Sequence, residues 1–267
     1  MLGISVPRRD GWLLHRVCAR IPRGRVVGVC SGDRSERIAL LDAIAGRAIP
    51  EEGRLWISGV PLVRGRESRV RELVAEVDLA FPIAEGRSAL WNTLARRPRL
   101  GALGRFLRYP RERERRAALR ALARVGLERR AGEMAASFGV VDRARLGVAG
   151  GLWRGPEFMV VPELDATLSG ADAGELLELL RGLSRIEGLG VIVSGAPTPT
   201  VLGGVDRVLE LSEGLLTYDG PAADLLCRGG AKPGAGNSGS VPDLEIASWA
   251  RPSPQTGEGG HQTRSIR

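Results

Sequence analysis

Apolar positions in this chain cluster in short continuous runs, separated by stretches in which they recur every three or four residues. That alternation predicts buried strands connected by amphipathic helices. The most informative stretch is Gly24 to Gly46. Val26, Val27, Val29 and Cys30 form an apolar run of strand length, and Ser31-Gly32-Asp33-Arg34-Ser35 is turn chemistry. Ile38, Leu40, Leu41, Ile44 and Ala45 then recur at helical spacing until Gly46 ends the run.

The same patterning extends over most of the chain. Leu2 to Val6 and Leu13 to Ile21 predict two strands of a small antiparallel layer around a turn at Arg8-Arg9-Asp10-Gly11. A turn at Gly53 leads into a strand with Leu55 and Ile57 on one face. Val77, Leu79 and Phe81 alternate and stop at Pro82. Residues from about 84 to 136 change character: they are arginine-rich and helical, with Leu90, Leu94, Ala118, Leu122 and Val125 at helical intervals. Pro110 takes the first-turn position of the longest helix there, and Glu112 with Arg116 offers support across one turn. Strand patterning resumes at Phe158 to Val161, at Val191 to Val193 and at Asp206 to Leu211, and Gly214 to Asp219 reads as a final hairpin arm. Leu176, Leu180 and Leu183 mark a helix between the first two of these. The expectation is a mostly parallel sheet covered by helices on both faces, a helical subdomain at about 84–136, and a disordered Gly/Pro/Ser-rich tail over 229–267.

A strand that feeds a helix through a polar loop is where α/β proteins place phosphate, because the first helical N–H groups are unpaired. The phosphate-loop motif G-x-x-x-x-G-K-[ST] needs glycines for close backbone approach, a lysine for the phosphates and a hydroxyl for Mg²⁺. Here the second glycine is Glu36, the lysine place holds Arg37 and the hydroxyl place holds Ile38. The scaffold is present and its chemistry is changed.

Composition narrows the partners. The chain has 267 residues, 43% of them apolar, enough for one large domain or two modest ones. No apolar run reaches the roughly 18 residues of a membrane span, and no charged, apolar leader is visible at Met1. Cys18, Cys30 and Cys227 lie far apart without metal-ligand spacing, so no metal site and a reducing compartment are expected, with Cys30 in the core. The net charge of +8 comes from arginines spread along the whole chain among acidic residues, without stacking aromatics; no nucleic-acid partner is expected. Trp12, beside the first turn, has two readings, a base-stacking residue or an edge-strand aromatic.

Over residues 2–228 the order of elements resembles the ATP-binding subunit of an ABC transporter, a P-loop NTPase-like α/β fold with a small antiparallel β layer and an inserted helical subdomain. Pro156 to Ser169, PEFMVVPELDATLS, is similar to the family's P-E-x-x-x-L-D-E-P-T-x-x-L-D. Asp206 to Gly214, followed by Tyr218 to Leu226, resembles its last strands and following helix. The segments Ser88 to Leu94 and Leu103 to Arg113 look most like the subunits serving branched-chain amino-acid importers. The departures are systematic. The Q-loop glutamine falls on Pro82, the signature on Phe138-Gly139-Val140-Val141-Asp142 or two residues earlier, and the Walker B aspartate on Pro162. The D-loop aspartate falls on Ser169 and the switch histidine on Gly195, while the glutamate after Walker B survives as Glu163. Realignment does not restore them: the only lysine is Lys232, the only glutamines are Gln255 and Gln262, and the histidines are His15 and His261.

On this basis the degenerate phosphate loop, Gly32, Asp33, Arg34, Ser35, Glu36, Arg37 and Ile38, together with Trp12, is the candidate cofactor-binding set. Glu163 is a remnant catalytic carboxylate, expected to be solvated at a strand end. Arg143 and Arg145 are expected as exposed helix residues. One like charge at about 4–5 Å from a polyanion costs on the order of 3–4 kcal/mol at an effective dielectric near 20. A charge-assisted hydrogen bond from Arg37 returns about 1.5–3 kcal/mol. With Asp33 and Glu36 beside the phosphates, no cofactor is expected, and the chain is expected to be a catalytically degenerate structural or regulatory subunit. Its partners would be integral-membrane permease subunits and an intact ATPase subunit, in a dimer on the cytoplasmic face of the membrane. The alternative is an active ATPase that binds ATP and magnesium through Arg37, uses Glu163 as base and energises import of amino acids or similar small solutes. A soluble binding module without a transporter is a third reading.

Overall fold

The strand from Val26 to Ser31 (β3) is buried along its whole length, and its side chains alternate between two separate cores. Val26 and Cys30 join one apolar cluster, Val27 and Val29 the other. The same split recurs in Phe158–Val161 (β8), where Met159 and Val161 face one way and Phe158 and Val160 the other. A sheet packed on both faces demands apolar residues at successive positions, which is why these strands read as continuous runs. Burial pushes the Cys30 thiol up to about 12, so it behaves as a core residue.

The computed structural model describes residues 1–79, 83–95 and 111–228. Gly190–Gly195 (β9), Arg207–Ser212 (β10), Leu215–Pro221 (β11) and Val74–Glu76 (β7) complete a six-stranded sheet in the order β11-β10-β3-β9-β8-β7. All neighbours are parallel except the β10–β11 hairpin. Because β3 and β8 both flank β9, the loops leaving the C-terminal ends of β3 and β8 come together over the end of β9. Leu2–Arg8 (β1), Gly11–Val17 (β2) and Glu52–Arg54 (β4) form the antiparallel layer, ordered β2-β1-β4. Trp56–Ile57 (β5) pairs with Val60–Pro61 (β6).

Among the described residues the α-helices are Arg34–Ile44 (α1), Glu67–Leu73 (α2), Ala89–Ala95 (α3), Glu112–Arg124 (α4), Val140–Leu152 (α5), Leu164–Thr167 (α6), Gly170–Glu187 (α7), Pro199–Gly204 (α8) and Ala222–Arg228 (α9). At the start of α4 the Arg111 amide donates to Glu114 Oε2 at 2.8 Å, and Arg116 bonds Glu112 at 3.0 Å as the spacing predicts. Leu176, Leu180 and Leu183 are buried on α7.

Several expectations are corrected. β2 ends at Val17 rather than Ile21. The strand expected after Gly53 is broken into β4 and β5, which pair with different partners, so Leu55 and Ile57 are buried without sharing one strand. β7 precedes the alternating Val77-Leu79-Phe81 pattern and ends at Glu76, with one further bond from Val77 N–H to the Val160 carbonyl. Phe81, Pro82, Pro110 and the tail 229–267 lie outside the described residues. Among the described residues no helix is long and apolar enough to cross a membrane.

Candidate functional site

The loop between β3 and α1 is held by its own carboxylates. Asp33 is the N-cap of α1, and its Oδ1 accepts the Ser35 amide at 2.7 Å, one of the donors that a helix start leaves open. The Ser31 hydroxyl accepts the Asp33 amide at 2.9 Å and donates to Glu36 Oε2 at 2.6 Å. Glu36 is buried, and its other oxygen accepts the Gly214 amide at 2.6 Å. Gly214 follows Glu213 in the β10–β11 turn, and both residues have positive φ, 52° and 77°, as a two-residue hairpin turn requires. Glu36 therefore points across to a neighbouring hairpin, and does not stand in the cradle as a free charge.

Arg37 points the other way, into the space under the loop. It is only 7% exposed, and its fork grips Glu163 at two points. Nε donates to Oε1 at 3.0 Å and Nη2 to Oε2 at 2.8 Å, while Nη1 donates to the Ser31 carbonyl at 2.5 Å. Arg34 Nε adds a bond to Glu163 Oε2 at 3.0 Å. Glu163 lies directly after β8 with φ 51° and ψ 49°, a left-handed conformation that costs a residue other than glycine about 1–3 kcal/mol. Its amide donates to Ser194 Oγ at 3.0 Å, which fixes the turn onto β9. Burial pushes the Glu163 carboxyl up, but its bonds to Arg37 and Arg34 override this and hold it below the ordinary glutamate range. The Arg37 guanidinium is correspondingly raised, chiefly by its hydrogen bond to Glu163.

The expectation of a solvated Glu163 is thus corrected: the residue is 9% exposed and paired. Asp165 takes the place beside Gly195, where its Oδ2 accepts the Ala196 amide at 2.9 Å. A Cβ on Gly195 would lie 2.6 Å from Asp165 Oδ1, so the small residue at the switch-histidine place makes room for this carboxylate. Gly32 and Ser35 are exposed, and Ile38 is half-buried. Trp12 stacks on His15 at 5.7 Å between ring centroids and is 39% exposed. It borders a cavity of about 480 Å³, lined also by Arg8, Asp33, Glu36, Glu213 and Gly214. Gly139 is the N-cap of α5, and Asp142 is tied to Arg130 at 2.5 Å. Arg143 and Arg145 are half-buried rather than exposed, paired with Glu85 and Glu175 at 2.9 and 2.6 Å. Ser169 caps α7. Ser31, Ser194 and Gly214 belong to the site and were not singled out from the sequence; a serine closing the apolar run Val191-Ile192-Val193 was the available signal.

The chain is 31% identical over 227 residues to a phosphonates import ATP-binding protein of Caulobacter vibrioides, covering 79% of this chain and 83% of that one. It belongs to the ATP-binding subunits of ABC transporters. A methionine import ATP-binding protein of Nocardia farcinica is 25% identical over 210 residues, 78% of this chain and 61% of that one. No family model matches. An ATP-binding cassette of an ABC transporter, crystallised in its ADP conformation, superposes with a TM-score of 0.77 at 15% identity, covering 87% of this chain and 94% of the other. A component of an ABC transporter complex from Clostridium perfringens gives 0.73 at 20% identity, over 85% and 90% of the two chains. These likenesses confirm the ABC ATPase fold expected from the order of elements.

Family membership corrects one expectation and leaves another unconfirmed. The relatives are named as ATP-binding, which overturns the expectation of no cofactor: ATP is the group this site has to be measured against. The relatives named here are phosphonates and methionine import proteins, which does not confirm the branched-chain amino-acid subtype. Measured against a nucleotide, the site is divided. Arg37 and Arg34, the cations of the loop, are both engaged by Glu163. Ile38 and Pro162, at the two places that would serve the metal, offer no side-chain oxygen.

Proposed function

We propose that this chain is an ABC importer subunit of the ATP-binding type that hydrolyses little or no ATP and serves as a structural or regulatory partner of membrane permease subunits. ATP and uptake come to this reading from the names of its relatives. The observation that carries the reading is the two-point bond between Arg37 and Glu163. Phosphoryl transfer depends on positioned cations around the transferred group and on a free carboxylate or equivalent to orient water. Here the one carboxylate at the general-base place and the one cation at the lysine place neutralise each other. Glu163 held below the ordinary glutamate range and bonded at both oxygens is a poor proton acceptor.

The partners belong to the same proposal. The helical region at about 84–136 would dock on a permease at the cytoplasmic face of the membrane. The chain would pair either with itself or with an intact ATPase subunit, as in the dimeric cassette whose fold it shares at a TM-score of 0.63. The test is affinity capture of the full chain from detergent-solubilised membranes. Recovery of an integral-membrane subunit supports the reading, whereas recovery from the soluble fraction alone favours a binding module without a transporter.

A further inference from the structure

The bond between Arg37 and Glu163 has the form of a bound ligand. A guanidinium presents Nε and one Nη in a plane, a fork that matches two oxygens of a carboxylate or of a phosphate equally well. In this chain the fork is buried, its third nitrogen is anchored on the Ser31 carbonyl at 2.5 Å, and the occupant is the chain's own Glu163. Arg34 closes over the same carboxylate from the exposed side, 69% of its side chain in solvent, at 3.0 Å. The Ser194 hydroxyl lies 3.4 Å from Glu163 Oε1 on the buried side. Three donors of different origin, from both ends of the first turn of α1 and from the end of β9, converge on one anionic group.

We propose that Glu163 is a built-in anion filling an oxyanion site made by Arg34, Arg37 and Ser194, and that this site takes a tetrahedral oxyanion of the phosphate class, without metal, whenever the carboxylate leaves. The inference rests on the functional reading above and deepens it. Glu163 acts as a competitor for the phosphate donors, and its left-handed backbone conformation aims it at them. An external phosphate and Glu163 exclude each other, since both need Nε and Nη2 of Arg37. Breaking the pair leaves Arg37 buried and uncompensated, which favours uptake of a replacement anion.

The test is inorganic phosphate binding by the full chain in EDTA, followed by calorimetry and by the phosphate-dependent rise in melting temperature. Glu163→Ala should bind phosphate at least tenfold more tightly than the natural chain. Glu163→Gln, which keeps the side chain's shape and removes its charge, should shift in the same direction and guards against a folding defect in the alanine variant. Adding Arg37→Ala to either variant should abolish the gain. ATP in EDTA is run in parallel: a matching gain points to a nucleotide's phosphate as the natural occupant, and a gain with phosphate alone points to a free oxyanion. Equal phosphate affinity in the natural chain and both variants would overturn the proposal, as would a gain that survives loss of Arg37. Neither magnesium nor hydrolysis enters the phosphate titration, so the assignment and the functional reading fail separately.

Discussion

At the scale of single residues, the pair Arg37–Glu163 sets the chemistry and should also set local stability. Removing one member of a buried ion pair leaves the other desolvated and unpaired, which costs about 3–5 kcal/mol. Arg34 keeps part of the compensation for Glu163, so Arg37→Ala is expected near the lower end, about 3 kcal/mol, by urea denaturation. Arg37→Lys restores the charge without the planar fork and should recover only part of the loss. The pH dependence follows from the same bond. The folded-state Glu163 carboxyl is held below its unfolded value, so its contribution is full at neutral pH. It is lost as pH falls below about 4.3, the ordinary glutamate value, towards the folded one. Arg37→Ala should therefore flatten the acid limb of the stability profile; an unchanged acid limb would mean that the pair does not hold Glu163.

At the scale of elements, the strands were legible because a sheet buried on both faces leaves a signature of unbroken apolar runs. β3, β8, β9 and β10 stand within a residue or two of where those runs lie. The glycine positions carry a different kind of information. A Cβ on Gly190 would lie 2.3 Å from the Phe158 ring, so the ring can lie over its ladder partner on β9 only because that position is bare. Gly190→Ala is expected to cost about 1–3 kcal/mol in denaturation through overpacking. What the sequence hid is the direction of the polar side chains in α1. Periodicity marks which positions face the core, and it placed Ile38 there. The fold instead leaves Ile38 half-buried and buries Glu36 and Arg37, because each finds a partner more than a hundred residues away in the chain, on the β10–β11 turn and after β8. Pairings of that range depend on the order of the strands, and local patterning carries no trace of them. For the same reason Glu163 was expected in solvent.

At the scale of the whole molecule, the fold is that of an ABC ATP-binding subunit and the kinship is plain, while Glu36, Arg37 and Glu163 at the motif places are buried on partners within the chain. Asp33 caps its own helix, Glu36 staples the phosphate loop to a hairpin, and Glu163 occupies the cation that the loop supplies. Each of these carboxylates finds its partner within the chain. The most direct measurement is steady-state release of phosphate from ATP in the presence of magnesium, by the full chain captured with its membrane partner, alongside the Glu163→Gln variant. Our account predicts that the natural chain contributes no turnover above background and that Glu163→Gln leaves the rate of the complex unchanged. Turnover by the natural chain that disappears in Glu163→Gln would contradict it.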